Sequence, residues 1–172
     1  NHPSKKKDFH GVRITHCYDP EYLLGTAGQF VYDLNCIKNL HKKSFDVILF
    51  LGYTSNTIWR RFFPKETAII SNMDGLEWKR AKYNSLTKHF LMRAEKWAIQ
   101  SSNFFIADSI VIQNYLQKKY NVKCKYIPYG SEISNLNNQE LLAPYHVSTK
   151  EYYLLMARME PENNIEAILE GF

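Results

Sequence analysis

FDVILFL, at residues 45–51, is an almost continuous apolar run that is followed by Gly52. A run of this length and composition is typical of a parallel β-strand that is buried on both faces of a sheet. TAIIS, at residues 67–71, has the same character and leads into an Asp74-Gly75 pair, which predicts a turn. Because a short helix is predicted between these strands at residues 55–62, the pair indicates a parallel sheet with helical crossovers.

The segments on either side continue the same alternation. Apolar residues recur at spacings of three and four over residues 86–100, which predicts an amphipathic helix. The other predicted elements are strands at residues 11–18, 104–107 and 122–127 and helices at residues 21–43 and 109–120. Strands that alternate with helices in this way predict an α/β fold with a doubly wound parallel sheet.

The chain changes character near residue 130. Residues 1–130 contain 20 Lys and Arg against 10 Asp and Glu, whereas residues 131–172 contain 2 against 7. Residues 131–150 are polar without periodicity and are predicted to be a linker. EYYLLMA, at residues 151–157, predicts a strand, and Pro161 suits the first turn of a helix over residues 162–172. One strand and one helix bury too little surface to stand alone, so we expect more of this second unit after residue 172.

Composition excludes several classes of protein. With 172 residues, of which 45% are apolar, the chain can bury a core and is not expected to be disordered. No run approaches the roughly 18 apolar residues that cross a bilayer, and the Lys-rich start resembles no signal peptide. We therefore expect a cytoplasmic protein. Cys17, Cys36 and Cys124 are odd in number and far apart, which predicts free thiols rather than disulfides or a metal site.

Polar residues cluster where the predicted strands end, which is where open α/β sheets bind ligands. The densest segment is residues 72–80. Asp74 could accept a proton or a hydrogen bond from a substrate hydroxyl, and Glu77 and Arg80 are spaced to share one face of a helix. Without a function, the same residues would form a turn and an exposed ion pair. Trp78 is predicted to anchor this segment against the sheet rather than to stack on a sugar.

A second candidate is Arg158, which follows the strand predicted at residues 151–157. The backbone amides of Glu162 and Asn163, at the start of the next predicted helix, would point toward the same space. A guanidinium beside a helix N-terminus can bind a diphosphate. A surface arginine after a strand is also common without any function.

Three segments together resemble one protein family. NMDGLEWKRAK, at residues 72–82, closely resembles the NMDGLEWKRAKW signature of bacterial rhamnosyltransferase-type proteins in family 4 of the retaining GT-B glycosyltransferases. YIPYG, at residues 126–130, resembles the end of their first domain, and ARMEPENN, at residues 157–164, looks like the entrance to their donor domain. The similarity runs from about residue 11 to residue 172.

The resemblance implies two Rossmann-like domains that face a cleft. Residues 1–130 would form an acceptor-binding domain that lacks its opening strands, residues 131–150 a linker, and residues 151–172 the start of the nucleotide-sugar domain. The family moves a hexose, with rhamnose as one candidate, from a nucleotide-diphosphate sugar to a glycan or lipid-linked acceptor in surface polysaccharide synthesis. No cofactor and no obligatory metal are implied. This chain alone is not expected to catalyse the transfer reaction.

The resemblance also assigns roles to residues. Arg158 matches the arginine that holds the donor diphosphate, and Asp74 takes the place of a histidine at the junction of acceptor and donor. Asp74 is therefore the predicted catalytic contact. Asn163 replaces a lysine of the wider family, which leaves the diphosphate clamp one charge short. The predicted substrate-binding residues are Asn72, Gly75, Glu77, Arg80, Arg158, Glu162 and Asn163.

The positive charge of residues 1–130 would help to hold such an enzyme on anionic lipid at the inner face of the membrane. A competing interpretation is a non-catalytic module that grips nucleic acid or a phosphorylated partner through this basic surface. No RRM, KH or helix-turn-helix pattern is visible, and the aromatic residues lie inside apolar runs, so we expect no nucleic-acid partner. Missing opening strands would expose a sheet edge that invites association with another chain.

Overall fold

The computed structural model describes residues 6–132 and 139–172. The strands are β1 (Asp8–Phe9), β2 (Val12–Arg13), β3 (Val47–Phe50), β4 (Ala68–Asn72), β5 (Phe104–Ala107) and β6 (Cys124–Tyr126). The α-helices are α1 (Glu21–Leu24), α2 (Gly28–Leu40), α3 (Ser85–Ser101), α4 (Ile110–Tyr120) and α5 (Ile165–Glu170). Short 3₁₀ helices span Gly25–Ala27, Thr57–Phe62, Glu77–Lys79, Gln139–Tyr145 and Pro161–Asn163.

Strands β3 to β6 form one parallel sheet in the order β3-β4-β5-β6. Each crossover between neighbouring strands carries a helix, as the alternation in the sequence predicted. The prediction of an α/β fold is therefore confirmed, and a parallel sheet flanked by helices is consistent with a Rossmann-like fold.

The two faces of the sheet differ in burial. On one face, Ile48 pairs in register with Ile69, and both are buried. On the other face Val47, Leu49 and Phe104 are 52%, 50% and 60% exposed. The prediction that residues 45–51 are buried on both faces was therefore wrong. Successive side chains of a strand point to opposite faces, and the helices among the described residues cover one face here.

Helices α3 and α4 cover the buried face. Asn84 caps α3 by accepting a hydrogen bond from the backbone N–H of Thr87 (2.9 Å), and Ser109 caps α4 by accepting one from the backbone N–H of Val111 (3.2 Å). The helix predicted at residues 86–100 is confirmed, although Leu86 is 82% exposed in its first turn. The main core cluster comprises Tyr53, Met73, Ala94, Ala98, Phe105, Ala107, Leu116 and Cys124.

Glu95 is a fully buried carboxylate in the middle of α3. It accepts hydrogen bonds from Trp78 Nε1 (3.0 Å), Tyr115 Oη (2.9 Å), Lys119 Nζ (2.9 Å) and Tyr120 Oη (2.5 Å). Burial alone would raise the pKa of Glu95, but these donors outweigh it and hold the pKa below its usual value. One carboxylate therefore ties α3, α4 and the 3₁₀ turn at Glu77–Lys79 together.

Of the strand predicted at residues 11–18, only Val12–Arg13 forms a strand, and it does not join the parallel sheet. His10 and Gly11 both have positive φ (49° and 81°), so the chain reverses there and β2 pairs with β1 in a small antiparallel hairpin. The backbone N–H of Ile14 closes the hairpin on the carbonyl of Lys7 (2.9 Å). This segment lies outside the parallel sheet because its hydrogen bonds are satisfied locally.

The single helix predicted at residues 21–43 is broken in two. Gly25, with φ of 54°, ends α1, and a 3₁₀ turn leads into α2. A Cβ on Gly28 would lie 2.5 Å from Cα of Glu21, so only glycine permits α2 to start this close to α1.

After residue 130 the structure departs from the prediction in three places. The Asn-rich part of the predicted linker, residues 133–138, lies outside the described residues. Gln139–Tyr145, in the later part of the same predicted linker, forms a 3₁₀ helix. Residues 151–157 form no strand, since no described strand lies alongside to share hydrogen bonds. The predicted helix at residues 162–172 is divided into Pro161–Asn163 and α5.

Glu95→Gln tests the central role of the buried carboxylate. Glutamine presents an amide group to donors that now share a carboxylate, so buried donors lose their acceptor and Lys119 loses its counter-charge. We expect the free energy of unfolding to fall by about 3 kcal/mol, measured by urea denaturation. Lys96→Gln, on the exposed face of the same helix, is the matched control and should change stability by less than about 0.5 kcal/mol. Equal effects of the two substitutions would contradict this role.

Candidate functional site

A cavity of about 460 Å³ lies at the carboxyl ends of β3 and β4. It is enclosed by α2, the loop after β3, the loop after β4 and the start of α3. Its polar lining includes Gln29, Asp33, Ser55, Asp74, Glu77 and Tyr83, and its apolar lining includes Phe30, Phe50, Phe90 and Leu91. Its size and mixed lining are those of a small-molecule binding site.

The floor of the cavity is fixed by Tyr53, whose side chain is fully buried. Its hydroxyl donates to the carbonyl of Gly75 (2.7 Å), which joins the loop after β3 to the loop after β4. Thr57 Oγ1 donates to the carbonyl of Tyr53 (2.8 Å), and Asn56 Nδ2 donates to that of Gly52 (3.1 Å). Burial raises the pKa of Tyr53, so the phenol stays protonated and keeps donating.

Asp74 follows Met73, which is buried in the core and whose backbone N–H donates to Ile106 in β5 (2.7 Å). This anchor aims the loop at the cavity, which Asp74 lines. Although part of the residue is exposed, loss of water around the carboxyl raises its pKa, and the charges of Glu77 and Asp108 raise it further. A hydrogen bond from its own backbone N–H acts in the opposite direction. The predicted catalytic residue therefore sits in the cavity with a strengthened affinity for protons.

Asp33, on α2, is a cavity residue that sequence reasoning missed. Ser55 donates its hydroxyl to Asp33 Oδ2 (2.5 Å). Desolvation raises the pKa of Asp33, and the Ser55 hydrogen bond partly offsets that rise. The available signal was an aspartate among the apolar residues Val31, Leu34 and Ile37 of a helix, but no local pattern shows that this helix faces the ends of β3 and β4.

Glu77 also lines the cavity, and Arg80 holds it from outside. The Glu77–Arg80 pair predicted from their spacing is confirmed, with Nη1 to Oε2 at 3.2 Å. Arg80 also lies 3.7 Å from the carboxylates of both Glu160 and Glu162. Glu162 accepts a hydrogen bond from the backbone N–H of Ala81 (3.0 Å). The structure therefore joins the loop after β4 to the Pro161 turn through charged side chains.

Asn72 and Gly75 support this region from outside the cavity lining. Asn72 is 8% exposed at the end of β4, and its Nδ2 donates to Tyr129 Oη over 3.5 Å. Gly75 offers its carbonyl to Tyr53. Gly75 has no positive φ, and an added Cβ would lie 3.4 Å from Glu77 Oε1, so its backbone does not require glycine.

Arg158 and Asn163 do not line the cavity. Asn163 Nδ2 donates to the carbonyl of Arg158 (2.7 Å), and within the described residues the Arg158 guanidinium has no hydrogen-bond or ion-pair partner. The prediction of a free backbone amide at Asn163 was wrong, because that N–H donates to the carbonyl of Glu160 (3.0 Å). The structure thus brings Asp74 and Glu77 into one cavity, places Arg80 and Glu162 beside it, and leaves Arg158 on the surface.

Neither a metal site nor a membrane-spanning helix is found among the described residues. In the part of the chain that the structure describes, no group of three or more His, Cys, Asp or Glu side chains could hold a metal ion. Cys17, Cys36 and Cys124 are free, and Cys124 is buried. None of the helices within residues 6–132 and 139–172 has the length and apolar character needed to cross a membrane.

Fold and cavity together define a Rossmann-like domain with a cavity at the carboxyl ends of β3 and β4, where open α/β sheets commonly bind ligands. The family described as "Domain of unknown function (DUF1972)" matches residues 2–132, which is most of the chain, and the chain belongs to this family. The domain is found in glycosyltransferase-associated proteins. No curated protein matches the sequence closely enough to serve as a relative.

Asp74→Asn tests the environment of the cavity. A carboxyl whose pKa is raised by folding costs stability wherever it is ionised, so asparagine should raise the melting temperature near pH 7. The gain should fade as the pH falls through the raised pKa of Asp74, because the native carboxyl is then protonated. Thermal melts between about pH 4 and pH 8 measure the difference.

Glu66→Gln, at an exposed residue before β4 that does not line the cavity, is the control for that experiment. Its effect should be small at every pH. A loss of stability in Asp74→Asn that grows toward neutral pH would instead mean that the native charge is stabilised, contrary to this view of the cavity.

Proposed function

We propose that the chain is the acceptor-binding part of a retaining GT-B glycosyltransferase of family 4, moving a hexose from a nucleotide-diphosphate sugar to a glycan or lipid-linked acceptor. The observation that carries the proposal is the position of Asp74, from the NMDGLEWKRAK segment, in a cavity of mixed polar and apolar lining at the carboxyl ends of β3 and β4. Membership of a family found in glycosyltransferase-associated proteins supports it.

The lining of the cavity suits a sugar ring. Phe30 and Phe90, whose rings lie 5.6 Å apart edge to face, offer an apolar surface to the C–H face of a ring. Asp33 and Asp74 offer carboxylate oxygens to its hydroxyls. Hydrogen bonds to an ionised acceptor are stronger than those between neutral groups, so hydroxyl positions would be read by these two side chains.

In the proposed reaction, Asp74 orients the acceptor hydroxyl toward the anomeric carbon of the donor. The bond from that carbon to the nucleotide diphosphate breaks, a new bond to the acceptor oxygen forms, and the hydroxyl proton passes to the departing diphosphate. A raised pKa lets Asp74 accept a hydrogen bond and share the proton transiently. Its contribution is orientation and proton handling rather than covalent attack.

Arg158 is the proposed contact to the donor diphosphate. Its guanidinium is exposed and unpaired among the described residues, so it is available to an anionic ligand. The backbone of this segment is held by Glu160, which lies 2.8 Å from Lys82 Nζ and whose N–H donates to the Arg158 carbonyl (2.8 Å). Because the Asn163 amide is already used, Arg158 carries more of the proposed clamp than the sequence suggested.

The proposal also places the protein at a membrane surface. Surface polysaccharide synthesis uses lipid-linked acceptors, and the excess of Lys and Arg in residues 1–130 would hold the protein at the inner face of an anionic membrane. Rhamnose is the candidate hexose on the strength of the NMDGLEWKRAK segment. The outer edge of β3, which has no strand beside it among the described residues, is the proposed point of association with further chain or a partner.

The test is sugar transfer by the full-length protein with a panel of nucleotide-diphosphate hexoses, rhamnose included, followed by nucleoside-diphosphate release and product mass. We expect Asp74→Asn to lower kcat about 100-fold or more, and Arg158→Ala to raise KM for the donor. Lys96→Gln should leave both constants unchanged. Salt-dependent binding of DNA or RNA at physiological ionic strength, with no transfer from any donor, would replace this function with that of a binding module.

A further inference from the structure

The charged side chains that line the cavity are opposite in sign to the net charge of residues 1–130. Among the residues that the structure describes, the carboxylates of Asp33, Asp74 and Glu77 line the cavity, and no Lys, Arg or His side chain does. Residues 1–130 as a whole have twice as many basic as acidic residues. The basic groups that make the domain positive therefore lie elsewhere, and the interior of the site is acidic.

The three carboxylates are not equally compensated. Glu77 is paired with Arg80, which stands outside the cavity at 3.2 Å. Asp33 receives only the neutral hydroxyl of Ser55, and no cation within the described residues pairs with either Asp33 or Asp74. The cavity therefore holds two carboxyl groups, Asp33 and Asp74, that have no cationic partner among the described residues.

We infer that this cavity accepts an uncharged, hydroxyl-bearing sugar residue and rejects sugars that carry a carboxylate or a phosphate. The inference rests on the proposed function and names the class of acceptor. A ligand carboxylate would meet like charges in a partly desolvated site, where repulsion is weakly screened. Ligand hydroxyls would instead donate to Asp74 and to Asp33 Oδ1, which accepts no hydrogen bond from a described residue.

The same arrangement has a consequence for the donor. A nucleotide diphosphate is an anion, so it cannot share the interior of this cavity with Asp33 and Asp74. Its diphosphate must lie outside, on the side of Arg158, while only the transferred sugar approaches Asp74. The acidic lining thereby sorts the two substrates by charge before any sugar-specific contact is made.

The experiment compares three methyl hexosides that differ at one carbon: a neutral hydroxymethyl sugar, its carboxylate and its amine. Binding to the full-length protein is measured by titration calorimetry without donor, at about pH 7.5, which is well above the ordinary pKa of a carboxyl group. We expect the carboxylate to bind at least about tenfold more weakly than the neutral sugar, and the amine at least as tightly. A carboxylate or phosphate sugar that binds as well as the neutral one overturns the inference, as does the absence of binding by all three.

Variants at Asp33 and Asp74 test whether these two side chains cause the predicted preference for neutral over carboxylate sugars. In Asp33→Asn, asparagine Oδ1 can still accept from Ser55, so the fold is kept while one charge is removed. We expect the preference for neutral sugar over carboxylate to shrink several-fold, and further when Asp74→Asn is added. Glu66→Gln, outside the cavity, should leave the preference intact. A preference unchanged in the double variant would refute the role of these two charges.

Failure of the inference and failure of the proposed function give different results. If the carboxylate sugar binds more weakly than the neutral sugar but no donor supports transfer, the cavity binds neutral sugars and the transferase proposal is wrong. If transfer is seen and a carboxylate acceptor is used as efficiently as a neutral one, the transferase proposal stands and the inference about the acceptor is wrong.

Discussion

The buried carboxylate of Glu95 is the interaction on which the site depends. Burying a charge is costly unless it is paired and fully hydrogen-bonded, and here Lys119 supplies the countercharge while three aromatic side chains supply further donors. Lys119 also lies over the rings of Tyr115 and Tyr120, with its Nζ 5.0 and 4.9 Å from their centroids. These contacts keep the carboxylate ionised, and they hold α3 and α4 at a fixed distance from each other.

Trp78 transmits this constraint to the cavity. Its indole N–H is fixed on Glu95 (3.0 Å), and its neighbour Glu77 faces the cavity. From the other side, the hydroxyl of Tyr53 holds the carbonyl of Gly75. The backbone hydrogen bond from Met73 to Ile106 fixes the loop before Asp74, and the part-buried hydrogen bonds at Gly75 and Trp78 fix it after Asp74. Trp78 acts as the anchor that its sequence context predicted, although it contacts α3 and α4 and not the sheet.

The prediction of strands from the sequence succeeded where a segment was a continuous apolar run. Residues 45–51, 67–71 and 104–107 are apolar runs with few alternatives to a buried strand, and the structure forms β3, β4 and β5 there. The prediction failed at residues 151–157, which form no strand, and at residues 11–18, where only Val12–Arg13 is a strand and lies outside the parallel sheet. A strand exists only when another strand accepts its hydrogen bonds, and that partner is a property of the fold and not of the segment.

The sequence by itself determined the order of the elements, the Glu77–Arg80 pair and the concentration of polar residues after β4, because spacing and strand-end position fix these locally. Only the tertiary structure decided that Asp33 joins Asp74 in one cavity, that Glu95 is buried, and that the site is acidic inside a basic domain. Each of these depends on side chains from distant segments sharing a small volume with little water. Desolvation and charge proximity act through space, so they are set by packing and leave no periodic trace in the chain.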